Sequence, residues 1–150
     1  NPADGKWSEA GEIMPEDGKG PQGLVGAAGL VLEDEVMVFQ GGVDYAVFKA
    51  AIDNALLQRQ AAGSGQQDEE ECLKQEQSMY MRHEPDWYGF SRRLLLFRPE
   101  SGEWTGFGDW EEIARVGAVV VWYKNKLVVV NGETKPGIRS AGACMLDWKY

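Results

Sequence analysis

The sequence holds a single histidine and two cysteines in 150 residues. One histidine, His83, excludes a multi-histidine metal site within the chain. Cys72 and Cys144 lie far apart and form no CxxC pair, so neither zinc binding nor a redox motif is suggested. Cys72 sits in a polar stretch, which disfavours a disulfide to Cys144. Basic residues are also scarce, 15 Lys and Arg against 24 Asp and Glu, for a net charge of −9. That balance lacks the basic footprint of a nucleic-acid binder and, by itself, names no partner. No apolar run approaches the ~20 residues a membrane helix needs. There is neither an initiator Met nor a signal-peptide pattern. A start at Asn1-Pro2 reads as a cut end that fixes no compartment.

Two residue types are abundant instead. There are 19 Gly and 6 Trp, and glycine turns with regularly placed aromatics suggest many short strands. Residues 1–44 and 94–150 have this character, whereas residues 45–93 are polar and helical in pattern.

The two outer regions repeat each other: residues 26–107 are read as one complete unit with the insertion inside it, residues 1–7 as the end of one before it, and residues 116–150 as three strands of the next. The run Asn1-Pro2-Ala3-Asp4-Gly5-Lys6-Trp7 parallels Arg98-Pro99-Glu100-Ser101-Gly102-Glu103-Trp104. Gly26-Ala27-Ala28 parallels Gly117-Ala118-Val119, and Val36 to Gly42 parallels Leu127 to Glu133. Each copy predicts a hairpin: Ala27 to Leu32 with Val36 to Gln40 across the turn 33–35, and Ala118 to Tyr123 with Leu127 to Asn131 across Lys124-Asn125-Lys126. These runs are almost continuously apolar, as in strands covered on both faces. A third strand is expected at Leu94 to Phe97 and a fourth around Trp104, after the turn Pro99-Glu100-Ser101-Gly102. Four short strands per copy, a Gly pair ending the second and a Trp on the fourth are the marks of a Kelch repeat, the unit of a propeller blade. A small β-sandwich with a chance repeat is the competing reading, and the register shared by glycines, turn and tryptophan argues against it. The fold class is thus all-β, a partial Kelch-type β-propeller over 1–150. One blade is complete and two are partial. Propellers close with roughly 4 to 8 blades, so further blades are expected to be needed.

Residues 45–93 form an insertion between strands two and three of the complete blade. Val47, Phe48, Ala51, Ile52, Ala55 and Leu56 follow helical spacing, predicting a helix over 46–60. Ala61 to Gln67 reads as a flexible turn. Asp68 to Met81 reads as a second helix with an acidic first turn, a feature that suits the helix dipole and needs no further role. Trp87, Tyr88 and Phe90 either pack the insertion onto the blade or offer one or two rings to a ligand.

The repeat breaks where Gly41-Gly42 meets Gly132-Glu133. Replacing a glycine with a charged residue departs from the local pattern, as functional sites often do. Glu133-Thr134-Lys135-Pro136-Gly137-Ile138-Arg139 is expected to be a loop, and a charged surface loop is its plainest reading. It leaves its blade at the same point as the insertion. Glu133 and Arg139 are therefore expected beside the insertion on a shared rim.

Val130-Asn131-Gly132-Glu133-Thr134-Lys135-Pro136-Gly137-Ile138-Arg139 resembles a segment of the N-acetylneuraminate epimerase (sialic acid mutarotase) family, six-bladed Kelch propellers of bacteria. Gly41-Gly42-Val43 with the following insertion, and the return through Tyr88 to Phe97-Arg98-Pro99, carry the resemblance along nearly the whole chain. The resemblance implies about two blades of six. It implies an isomerase that interconverts the α and β anomers of N-acetylneuraminate or a related sugar acid, with no cofactor or metal. It assigns proton transfer to Glu133, and it carries the segment's arginine over to Arg139, whose guanidinium suits the sugar carboxylate. Lys135, His83 and Tyr88 are the substrate-binding candidates. The implied partner is a small sugar acid, not nucleic acid or membrane. Members of the family are often periplasmic, while the sequence itself fixes no compartment. A non-catalytic Kelch module that binds a protein or glycan through residues 45–93 is the alternative, because fold does not dictate function.

Overall fold

The computed structural model describes residues 4–7, 9, 13, 23–32 and 36–147. Its architecture is mostly β-sheet with two helices. Strands β1 (Ala28–Val31), β2 (Met37–Gln40), β3 (Leu94–Arg98) and β4 (Glu103–Phe107) form an antiparallel sheet in the order β1-β2-β3-β4. Strands β5 (Val119–Tyr123), β6 (Lys126–Val130) and β9 (Ala143–Asp147) form a second sheet, β5-β6-β9. Between β6 and β9 the chain makes a small hairpin of β7 (Glu133–Lys135) and β8 (Ile138–Arg139). The expected turn 33–35 and the paired residues 1–3 lie outside the described residues. Trp7 is described and is almost fully exposed, whereas its counterpart Trp104 packs 4.6 Å from Phe97 and 5.5 Å from Phe39, ring to ring.

Strand placement follows the apolar runs. Lys124 and Asn125 both have positive φ, 47° and 60°, as a two-residue hairpin turn between right-twisted strands demands. Lys126, expected in that turn, instead opens β6 and pairs with Tyr123.

Side chains alternate across each strand, so the two sheets meet through one face each. Val36, Val38, Leu94 and Leu96 from the first sheet pack against Ile113, Leu127 and Val129 from the second half of the chain. Val38, Leu127 and Val129 are fully buried. Truncating Leu127 to Ala costs about 2–5 kcal/mol on this geometry.

The burial on both faces expected of the hairpin strands fails for β1 and β5, whose residues alternate between half-buried and exposed, whereas β3 has Leu94, Leu95 and Leu96 all buried. Val119, Val121 and Tyr123 are exposed, because among the described residues nothing covers the outer face of the second sheet. Val121, Val128 and Met145 sit in one cross-strand row on that face.

Helices α1 (Tyr45–Ser64) and α2 (Gln67–Tyr80) leave the first sheet between β2 and β3. The Asp44 carboxylate accepts the Val47 N–H at 2.9 Å and caps α1. Gly65, at φ 73°, ends it and donates its N–H to the Ala61 carbonyl. The flexible turn expected over 61–67 is therefore much shorter: α1 runs on through Ser64, and Ala61 is buried. Alanines favour helix, so only Gly65 and Gln66 separate the two helices. Asn54 Nδ2 donates to Glu76 across the helix pair at 2.9 Å. A 3₁₀ turn over Pro85–Tyr88 starts the return to β3, with Pro85 in its first turn.

Candidate active site

The second copy turns out of β6 through Asn131 and Gly132, at φ 60° and 94°. Gly41 and Gly42 leave β2 at φ 75° and 109°. Main-chain hydrogen bonds fix which residues correspond. Val43 donates to the Val25 carbonyl at 3.2 Å, and Glu133 to the Val116 carbonyl at 2.8 Å. Ser91 donates to Gly42 at 3.0 Å, and Ser140 to Gly132 at 2.8 Å. Gly132 is thus the counterpart of Gly42, and Asn131 that of Gly41.

This corrects the expected break of the glycine pair. Glu133 stands opposite Val43, one residue past the position that needs a left-handed backbone. Asn131 replaces the glycine, and asparagine is among the non-glycine residues that best tolerate such φ values. The same bonds show that the helical excursion and the Glu133 segment begin and end at matching points of their sheets.

The expected loop is instead the hairpin β7–β8. Glu133 and Arg139 are directly paired, and Lys135 pairs with Ile138 across a register shift. Pro136 and Gly137 make the turn, with Gly137 at φ 78°. Proline presets the first turn position and glycine accepts the second, which is why a polar segment can reverse so tightly.

The Glu133 carboxylate accepts two contacts at the long end of hydrogen bonding. Arg139 Nε lies 3.4 Å from Oε1, and the Gly137 N–H lies 3.4 Å from Oε2. The Arg139 side chain is 84% exposed and that of Glu133 29%. An acid is thus held half-buried at the hairpin base while an exposed cation stands beside it.

Lys135 fastens the hairpin to the insertion: its Nζ donates to the His83 carbonyl at 2.8 Å. A Cβ on Gly137 would lie 3.7 Å from Met81 Cε, so the turn also touches the end of the helical segment. The His83 imidazole stacks on the Trp87 indole, 3.7 Å apart and 8° from parallel. Trp87 keeps nearly half its surface exposed.

Tyr88 belongs to the same cluster but not to its surface. It is 1% exposed, and its hydroxyl donates to the Tyr80 carbonyl at 2.6 Å. Burial raises the phenol pKa of both Tyr80 and Tyr88. Tyr88 and Phe90 pack with Val43, Val47 and Phe48, which anchors the insertion to the sheet. As a substrate-binding candidate Tyr88 is therefore corrected to a packing residue, since its ring and hydroxyl are both occupied. Of the three aromatic candidates, Trp87 alone keeps substantial exposed surface, although it also makes edge contacts with Tyr80 and Tyr88.

Two polar residues near the hairpin carried no local sequence signal. Arg115 is buried and donates to three main-chain carbonyls, those of Glu112, Asn131 and Gly142. Gln40 is fully buried and donates from Nε2 to the carbonyls of Ile113 and Arg115. Comparison of the copies offers one clue, because Arg115 stands where the first copy has Leu24. Both cysteines are free thiols, and Cys144 is half-buried beneath Glu112.

With this geometry in hand, comparison with known proteins places the chain. The family model for N-acetylneuraminate epimerase matches residues 1–148. A Haemophilus influenzae (strain PittEE) protein named N-acetylneuraminate epimerase is 33% identical over 141 residues, covering 94% of this chain and 34% of the relative. A Yersinia pestis (strain Pestoides F) protein of the same name is 28% identical over 123 residues, covering 82% of this chain and 29% of the relative. The solved structure of YjhT superposes with a TM-score of 0.71 at 24% identity, over 87% of this chain and 35% of that one. The chain spans about a third of the length of the curated relatives it matches. The chain belongs to the N-acetylneuraminate epimerase family.

Proposed function

We propose that this chain is part of a sugar mutarotase that interconverts the α and β anomers of N-acetylneuraminate or a close sugar acid. The observation that carries the reading is the pairing of Glu133 with Arg139 across the hairpin, in a chain of this family. Glu133 is the general base. It takes the proton of the anomeric hydroxyl, the bond from anomeric carbon to ring oxygen breaks, and the ring oxygen takes a proton from water, which recovers it when the ring recloses. The open 2-keto acid rotates and recloses on either face. The same carboxylate, now protonated, returns its proton in the reverse sense.

Arg139 binds the substrate carboxylate. Its guanidinium has only a long contact to Glu133 and is otherwise open to solvent, so a planar anion has a two-pronged partner there. Trp87, nearly half exposed and stacked on His83, is read as the apolar surface that meets the sugar. Lys135 steadies the hairpin through the His83 carbonyl.

The two sheets are read as neighbouring blades of a Kelch propeller with six blades. Their shared apolar core supports that reading. So does the uncovered row Val121, Val128 and Met145, which offers the face a further blade needs.

The test is anomer equilibration of N-acetylneuraminate, followed by NMR, with the full-length protein. Wild type is expected to speed the approach to equilibrium and Glu133→Gln to lose at least about a hundredfold. Equal rates for the two proteins overturn the assignment.

A second reading has one observation in its favour: the insertion exposes Ile52, Leu56, Leu57 and Met79. A binding module acting through that surface would keep its ligand after Glu133→Gln and lose it on removal of residues 45–93.

A further inference from the structure

Arg115 is a charged side chain only 9% exposed, and its acceptors are main-chain carbonyls rather than a carboxylate. Burying a guanidinium is costly unless its donors are satisfied, and three carbonyls arranged around it take the N–H groups of Nε and Nη1. The position of those carbonyls is the informative feature. Nη1 holds Asn131 at 3.1 Å and Gly142 at 2.9 Å, the residues flanking the two ends of the β7–β8 excursion. Nε holds Glu112 at 2.7 Å in the 3₁₀ turn just upstream.

The main chain beside Arg115 is fixed as firmly. Its carbonyl receives Gln40 Nε2 at 3.2 Å, and a Cβ on Gly41 would lie 2.0 Å from that same oxygen. The next residue, Val116, exchanges two hydrogen bonds with Glu133, at 3.0 and 2.8 Å. One arginine therefore ties the end of the first sheet to both feet of the hairpin, and its neighbour grips Glu133 itself. The first copy has Leu24 at this place, and there the chain departs into helices instead.

We propose that Arg115 is a positioning residue: its buried guanidinium clamps the two feet of the β7–β8 hairpin and so sets the geometry of Glu133. The catalytic half of this proposal rests on Glu133 acting as the base. Arg115 never meets the substrate; it acts through the backbone on either side of the hairpin.

The experiment compares Arg115→Met and Arg115→Lys in the full-length protein, by hydrogen exchange and by anomer equilibration. In Arg115→Met, amides of 131–142 exchange at least about tenfold faster while β5 and β6 keep their protection. The turnover number falls about ten- to a hundredfold, as for a misplaced catalytic group, with KM little changed. Arg115→Lys recovers part of the turnover, because an ammonium reaches fewer of the three carbonyls. Unchanged hairpin exchange in Arg115→Met overturns the clamp. Faster exchange with unchanged turnover overturns the positioning role. If Arg115→Met does not fold, Arg115→Lys carries both comparisons, and uniform loss of protection across β5, β6 and the hairpin then counts against the proposal. A wild-type protein without mutarotase activity defeats the reading of Glu133, while the exchange data still decide the clamp.

Discussion

Arg139 Nε stands 3.4 Å from Glu133 Oε1, and the two residues are directly opposed across β7 and β8. The contact is loose and mostly in solvent, so it contributes little to stability. Its value is spatial: it holds a guanidinium beside a carboxylate on one tight turn, the arrangement that the proposed base and anion clamp require.

That relationship predicts a split in kinetics. Arg139→Ala is expected to raise KM for N-acetylneuraminate about tenfold or more, the loss of a charged hydrogen-bonding pair. Arg139→Lys recovers only part, lacking the two-pronged geometry. The methyl ester of the same sugar, which has no carboxylate charge, is expected to show a much smaller change. Equal losses for acid and ester would mean that Arg139 does not bind the carboxylate.

The two copies of the turn after strand two predict different tolerance. At Gly41 an added Cβ meets the Arg115 carbonyl oxygen at 2.0 Å, with φ at 75°. Gly41→Ala is expected to destabilise by well over about 1 kcal/mol, since strain and clash add. Asn131 occupies the matching place at φ 60°, and Asn131→Gly is expected to stay within about 1 kcal/mol of wild type. Denaturant midpoints of the two variants in the full-length protein check the ordering.

These positions also show where the sequence was legible. Strands β1, β2, β3, β5 and β6 announce themselves as apolar runs, and β4 through the turn before it and Trp104. The hairpin was hidden because Glu133-Thr134-Lys135 is polar, so no apolar alternation marks it as a strand. Its pairing is set by Pro136-Gly137 and by Val116. The copies slipped by one residue because Asn131 serves as a glycine, an equivalence visible in φ and not in residue type. Glu133 was thus singled out through a misaligned glycine, although the family segment pointed to the same residue. Arg115 left only its contrast with Leu24 of the first copy, since it acts on carbonyls 16 and 27 residues away. Tyr88 could not be told from a ligand contact until its hydroxyl was seen on the Tyr80 carbonyl.

The two thiols are expected to differ sharply in reactivity. Burial raises the Cys144 pKa, the nearby Arg115 charge opposing the shift only in part, while Cys72 is exposed. The thiolate is the reacting form. A raised pKa therefore means less Cys144 thiolate at any pH below it, and access is restricted as well. At pH 7–8 a maleimide is expected to label Cys72 first. Cys144 labelling climbs as pH rises towards its shifted pKa, and in denaturant the two rates converge. Rapid labelling of Cys144 in the folded protein would contradict its placement beneath Glu112.

The uncovered sheet face predicts how residues 1–150 behave alone. Val119, Val121, Tyr123 and Met145 are exposed apolar residues of one sheet, and among the described residues β9 has no strand partner on its outer side. Apolar faces and open edges of this kind drive association. The segment expressed by itself is expected to self-associate and to melt without a sharp transition. Replacing Val121 and Met145 with Lys is expected to restore solubility without restoring a cooperative melt, because charge blocks association but supplies no packing partner. Light scattering and calorimetry measure the two effects separately. A monodisperse monomer with a sharp melt would show that the two sheets bury enough surface on their own, and would remove the need for a further blade against β5, β6 and β9.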